Sequence, residues 1–231
     1  MKGKEDDSSL NVEHVFDAYA EKYDRWYEKP FGMSAFNLEK ACIKSVCKNL
    51  EAPFLEIGVG TGRFAEALKI EYGIDVSAGV LKFAKKRGIT VIRGGGENLP
   101  FADNSFGAVF IIVTICFVNN PLKVLEEAKR VLKNDGSIIL GLILKESSWA
   151  SFYKKKGEMG GNVFYRVAKF YSFKELKAII KKAELEIEDV SSTIFQAPTE
   201  DLHFEFPRKG YYEKAGFVVI KLGKSTLKHY V

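Results

Sequence analysis

Residues 53–64 read Pro-Phe-Leu-Glu-Ile-Gly-Val-Gly-Thr-Gly-Arg-Phe: a short apolar run, three glycines spaced G-x-G-x-G, and the start of a helical apolar pattern. A strand that turns through glycines into a helix lets a ligand approach the backbone and leaves unpaired N–H groups at the helix start. A nucleotide phosphate, a dinucleotide and an adenosine-bearing methyl donor all use such a turn. The loop therefore narrows the fold before it names a ligand.

From Pro53 onward, short apolar runs alternate with helical patterns, which predicts parallel βαβ units with helices on both sheet faces. The first strand runs into the glycine loop, a short helix carries Phe64 and Leu68, and a second strand over residues 70–74 ends at Asp75. Ser77 is placed to cap a helix containing Val80, Leu81 and Ala84, Gly88 ends it, and a third strand follows at 90–92. The β-branched run 109–113 suits a strand buried on both faces. Pro121 opens a helix over 122–132, the turn Asn134-Asp135-Gly136 closes it, and 138–143 forms a fifth strand. Ser172-Phe173-Lys174-Glu175 is a capping box that starts a helix with Leu176, Ile179, Ile180 and Ala183. A sixth strand lies within 185–195, and the run 215–222 returns as a seventh after an excursion over 198–212. The expected fold is α/β: a doubly wound, Rossmann-like seven-stranded sheet, mostly parallel with an antiparallel last strand, and helices on both faces.

No shift in composition marks a second domain, so residues 12–231 are expected to form one domain behind a disordered tail at 1–11. Val12, Val15, Phe16, Tyr19, Tyr23 and Trp26 form one apolar stripe, and a second helix follows the Pro30-Phe31-Gly32 break. Residues 12–50 thus make a helical N-terminal cap. Residues 145–171 hold many aromatics and the run Lys154-Lys155-Lys156 without clear period, and are expected to be a lid insertion after strand five.

A net charge of +5 from 35 basic and 30 acidic residues is too mild for a nucleic-acid footprint. No window approaches a membrane span, and the charged start lacks the apolar core of a signal peptide. Cys42, Cys47 and Cys116 form no CxxC and no even set, which suits a reducing cytoplasm and free thiols. The chain is expected to be cytoplasmic, without a metal site; its oligomeric state cannot be read.

Two acids sharpen the ligand. Glu56 sits inside the first strand, where an unpaired carboxylate is costly unless a positive group meets it. Asp75, at the end of the neighbouring strand, is placed to take two ribose hydroxyls. The plainer alternatives are that Glu56 points to solvent and that Asp75 only helps cap the next helix.

The stretch 55–62, Leu-Glu-Ile-Gly-Val-Gly-Thr-Gly, followed by Gly73-Ile74-Asp75-Val76-Ser77, resembles the first two motifs of class I S-adenosylmethionine-dependent methyltransferases. Glu97-Asn98-Leu99-Pro100-Phe101, Asn104-Ser105-Phe106 and the segment 127–136 from Glu127-Ala128-Lys129-Arg130 are similar to the small-molecule branch related to ubiquinone and menaquinone methyltransferases, as is Ala18-Tyr19-Ala20-Glu21-Lys22-Tyr23-Asp24. The resemblance implies S-adenosylmethionine as donor and S-adenosylhomocysteine as product, bound along the carboxyl ends of the strands. It implies Gly58, Gly60 and Gly62 under the methionine part, Glu56 near its amino group, Asp75 on the ribose and Val76 on the adenine. Gly96, Glu97 and Asn98 would edge the base, and Thr114 would face the methionine and the reacting methyl. Where relatives carry an acid before the Ala-Glu pair, this chain has Gly94-Gly95-Gly96, so the base is left to backbone contacts.

The acceptor pocket is less legible. Tyr19 and Tyr23 either close over the donor or dock the N-terminal helix, the docking stripe being the reading for Tyr19. Cys116 either lines the pocket or is inert packing, and Phe164 and Tyr165 either wall it or pack within their own loop. No general base stands out, since His14, His203 and His229 are isolated. The expected activity is methyl transfer to a small molecule by in-line displacement. The alternatives are a donor-binding protein without catalysis, an RNA or protein methyltransferase, and an NAD-dependent oxidoreductase, although the third glycine comes one residue too early for the last.

Overall fold

The computed structural model describes residues 11–159, 163–198 and 201–225, so all but residue 11 of the expected tail lies outside the described residues. Eight strands form one sheet: β1 Phe54–Ile57, β2 Tyr72–Asp75, β3 Thr90–Arg93, β4 Phe106–Ile112, β5 Leu132–Leu142, β6 Leu185–Thr193, β7 Arg208–Lys209 and β8 Phe217–Lys224, in the order β3-β2-β1-β4-β5-β8-β6-β7. β3-β2-β1-β4-β5 is parallel throughout, and β8 runs antiparallel to both β5 and β6. The fold is the expected doubly wound one, with one strand more. That strand, β7, is two residues pairing antiparallel with the edge of β6, too short for any alternation of side chains to announce it.

The chain builds outward from β1 through β2 to β3, then returns to place β4 on the other flank of β1. Such a reversal opens a crevice at the carboxyl ends of the two strands where the direction changes. β4 shows why the sheet sits in the middle of the molecule. Val109 and Ile111 pack into one apolar cluster with α6 (Pro121–Val131) and α8 (Phe173–Lys182), whereas Ala108, Phe110 and Ile112 pack into another with α3 (Pro30–Val46), α4 (Arg63–Leu68) and α5 (Ala78–Lys86). A period of two on a strand covered on both sides gives the unbroken apolar run seen in the sequence.

Capping chemistry explains most helix boundaries. Ser77 Oγ accepts from Val80 N at the start of α5, Asn120 Oδ1 accepts from Lys123 N beside Pro121, and Ser172 with Glu175 completes the capping box of α8. Three local expectations change. Pro30 occupies the first turn of α3 rather than a break before it. The N-terminal stripe divides at Tyr19 into α1 (Val12–Ala18) and α2 (Ala20–Trp26). The turn at 134–136 lies inside β5 as an irregularity, since Phe106 faces Leu132 while Ala108 faces Ser137.

The described residues of 145–171 are more ordered than their pattern suggests. They contain α7 (Ser148–Glu158), capped by Ser147 Oγ on Trp149 N, and a 3-10 turn at Val163–Arg166. Trp149, Ala150, Tyr153 and Gly157 bury one face at helical spacing, a period masked by the neighbouring aromatics and lysines. Among the described residues no helix is long and apolar enough to cross a membrane.

Candidate active site

The glycine loop is shaped by backbone bonds to β2. Gly58 N and Val59 N both donate to Ile74 O, at 2.8 and 3.1 Å. Gly60 N donates to Asp75 Oδ2 at 2.9 Å, and Ser77 N donates to Asp75 Oδ1 at 3.0 Å. Asp75 therefore ties the loop to the start of α5 and still presents lone pairs to the crevice. Gly60, at φ +52°, faces open space apart from Tyr23 Cε1, which a Cβ would meet at 3.7 Å. Gly62, at φ +81°, is the left-handed N-cap of α4, and a Cβ there would lie 2.9 Å from Ala84 Cα; its freedom serves helix packing.

The crevice is a cleft of about 540 Å³, within the range of small-ligand sites. Of the sequence candidates, Gly58, Gly60, Asp75, Val76, Gly96, Glu97, Thr114 and Tyr23 line it. Thr114 Oγ1 reaches Ile112 O at 3.0 Å and Gly58 O at 3.3 Å, joining the ends of β4 and β1 across the floor. Val113, also in the lining, has φ +50°, a costly conformation for a β-branched residue and of the kind that collects at binding sites. Glu97 Oε1 accepts from Asn119 N and Asn120 N, fixing the far rim.

The remaining candidates lie off the lining. Glu56 is beneath the loop, only 2% exposed, and its Oε2 has no partner. It does not point to solvent: burial, reinforced by Asp75, pushes its pKa well above the usual range, and a backbone bond from Ala65 only partly opposes this. Burial likewise raises Asp75, while the bonds from Ser77 and Gly60 pull it back. Gly62 packs on α5, and Asn98 is exposed. Tyr19 is 41% exposed and meets Phe164 edge-on, with ring centroids 6.3 Å apart. Cys116 is buried, and burial pushes its thiol up to about 12, which leaves little thiolate at neutral pH. Phe164 belongs to the roof, whereas Tyr165 stacks on Tyr153 of α7 at 4.2 Å between ring centroids.

That roof is aromatic. The Phe16 ring centroid lies 5.4 Å from Tyr23, 5.3 Å from Phe117 and 4.9 Å from Phe164, so α1, α2, the end of β4 and the 3-10 turn meet over the cleft. Two aspartates hold it down. Asp17 Oδ1 accepts from Ser77 Oγ (2.6 Å) and Gly79 N (2.7 Å). Asp24, 6% exposed, takes Arg63 Nε on one oxygen and Arg63 Nη2 with Arg87 Nη2 on the other, while Arg87 Nη1 also donates to Thr61 O in the glycine loop. Neither aspartate stood out in the sequence; the available signal was two acids seven apart beside an aromatic stripe. Glu127 and Arg130 prove to be fasteners, gripping the backbone of the 99–103 segment: Leu99 N donates to Glu127, and Arg130 donates to Leu99 O and Phe101 O.

A glycine-turned crevice at the β1–β4 reversal, with one acid under the loop and another at the end of β2, lies where a doubly wound sheet places its ligand. Residues 55–140 match the family model described as a methyltransferase domain. A solved structure from Thermotoga maritima, described as an S-adenosylmethionine-dependent methyltransferase and possible histamine N-methyltransferase, is 38% identical with a TM-score of 0.85, covering 93% of this chain and 100% of that one. An uncharacterized protein of Methanocaldococcus jannaschii is 39% identical over 91% of this chain and 99% of its own. A demethylmenaquinone methyltransferase of Thermotoga maritima is 32% identical over 54% of this chain and 58% of its own. The chain belongs to the class I S-adenosylmethionine-dependent methyltransferases.

Proposed function

We propose that the chain moves a methyl group from S-adenosylmethionine to a small-molecule acceptor by in-line displacement. The family implies the donor, and the residues present fit it. The observation that carries the fit is the orphaned Oε2 of Glu56, a buried carboxylate oxygen asking for a positive partner, under the same loop that presents Asp75 to the cleft. Glu56 would serve the donor's amino end, directly or through water, Asp75 its ribose hydroxyls, and Val76 with the backbone of 94–97 its base. When bound, the donor supplies a methyl on a sulfonium: the acceptor's lone pair forms the new bond, the C–S pair stays on sulfur, and any proton on the acceptor atom goes to water.

The protein's own work is then alignment and exclusion of water, and orientation of this kind is worth about 7–11 kcal/mol. The aromatic roof supports a small acceptor, because Phe16, Tyr23, Phe117 and Phe164 cover the cleft in a packed layer. No general base is required for a neutral amine or thiolate. The test is transfer of a labelled methyl from S-adenosylmethionine into a metabolite extract, alongside calorimetry with the donor. Saturable donor binding and label in small molecules are expected; label confined to protein or RNA, or none, would overturn the acceptor class.

A further inference from the structure

The charge that faces the cleft has one sign. Glu13, Asp75 and Glu97 line it, and no lysine, arginine or histidine among the described residues does. The arginines nearby are already engaged. Arg93 Nη2 donates to Glu13 Oε1 at 2.6 Å and its Nε donates to Val76 O, while Arg63 and Arg87 close on Asp24.

Helix starts are a second source of positive potential, and three of those at the cleft are met by the protein's own acids. At the start of α5, Ser77 N donates to Asp75 Oδ1 and Gly79 N donates to Asp17 Oδ1. At the start of α6, Glu97 Oε1 accepts from Asn119 N and Asn120 N, and Glu13 stands in the first turn of α1. The fourth helix, α4, follows the glycine loop, which the reading above gives to the methionine part of the donor. What remains to meet an acceptor is the ring layer of Phe16, Tyr23 and Phe117. A carboxylate, phosphate or sulfate entering there would lose its water without gaining a partner and would approach acids of its own sign. A neutral or cationic molecule meets neither cost, and a cleft lined by one sign of charge concentrates the opposite sign before it.

We propose that the methyl acceptor is a small molecule without an anionic group, neutral or cationic, selected by the negative cleft and its uncharged ring layer. This rests on the small-molecule reading above and narrows its substrate class. Glu13, Asp75 and Glu97 set the sign of the cleft, and Phe16, Tyr23 and Phe117 bring no charge to reverse it.

The experiment divides a metabolite extract over an anion exchanger at neutral pH, elutes the retained compounds with a volatile salt, and offers each dried fraction to the wild-type protein with labelled S-adenosylmethionine. The unretained fraction is expected to take at least about tenfold more label than the retained one, since like charges brought together cost more than that factor. Mass spectrometry of the labelled product is expected to find no carboxylate, phosphate or sulfate, which also covers zwitterions that pass the exchanger. With the donor saturating, sodium sulfate in place of sodium chloride at equal ionic strength is expected to change labelling by less than about twofold. Label chiefly in the retained fraction, an anionic group in the product, or sulfate competing with the acceptor each overturns the proposal and leaves the small-molecule reading standing. Absence of label from both fractions overturns the small-molecule reading as well, and donor calorimetry then shows whether the donor site survives it.

Discussion

The floor and the roof of the cleft are built by different means. The floor is backbone: Gly58, Val59 and Gly60 are placed by N–H bonds to Ile74 O and Asp75, all within a span of 18 residues. The roof is side chains: rings on α1, α2 and the 3-10 turn, held by Asp17 and Asp24 to partners 60 and 39 residues away. A floor of this kind keeps its shape whatever lies above it. A roof of this kind can be re-lined for another acceptor without disturbing the donor, provided its two anchors hold.

The sharpest way to break that contrast is to cut an anchor. Asp24→Ala leaves Arg63 and Arg87 facing a vacant buried site, and a loss of about 3–5 kcal/mol is expected in denaturant unfolding. A loss below about 1 kcal/mol would show that the roof rests on ring packing instead. The acid limb follows with a definite sign. Burial raises Asp24, but the hydrogen bonds from Arg63 and Arg87 outweigh it and hold the carboxyl below its ordinary range. Glu127, drawn down chiefly by Arg130, lies at about 2. Both contributions are fully present above the ordinary carboxylate range and fade as pH falls through the depressed values, so the wild type should lose stability steadily from about pH 4.5 toward 2.

On the floor, Asp75→Ala is expected to weaken S-adenosylmethionine binding about 10–100-fold in calorimetry, with a smaller effect on unfolding, because the tie to Gly60 goes together with the ribose contact proposed for Asp75. Wild-type affinity would place the donor elsewhere. Glu56 should reveal itself through protons. Its folded pKa is raised by burial and by Asp75, so an ammonium brought close favours the charged form and binding should release protons. Binding enthalpies in buffers of different ionisation heat measure that release, and affinity should tighten as pH rises. Glu56→Gln should abolish both effects.

The same contrast explains what the chain revealed in advance. β1, β2, the glycine loop, Ser77, Pro121 and the capping box at Ser172 depend on chemistry within a few residues, and each was legible. Asp17 and Asp24 owe their roles to partners on other elements, so in the sequence Asp17 carries no particular meaning and Asp24 only a place in a motif. Tyr19 continues the stripe in sequence and sits at the break between α1 and α2, half-exposed, with its ring edge-on to Phe164.

The finest test removes one hydroxyl from each side. Thr114→Val deletes the floor bond to Ile112 O and Gly58 O at nearly constant volume, and Tyr23→Phe deletes the bond to Tyr27 in the roof. Each should cost about 1 kcal/mol of stability, the usual net value of such a bond. Their functional readouts should separate. Thr114 joins the ends of β1 and β4 beside the donor, so Thr114→Val should weaken S-adenosylmethionine binding severalfold with little change in acceptor KM. Tyr23→Phe keeps the ring that faces Gly60 and packs in the roof but removes its bond to the Tyr27 hydroxyl, so acceptor KM should shift and donor affinity stay within about twofold. Equal shifts in both constants for both variants would mean that floor and roof are one cooperative unit, with the aromatic layer shaping the glycine loop it covers.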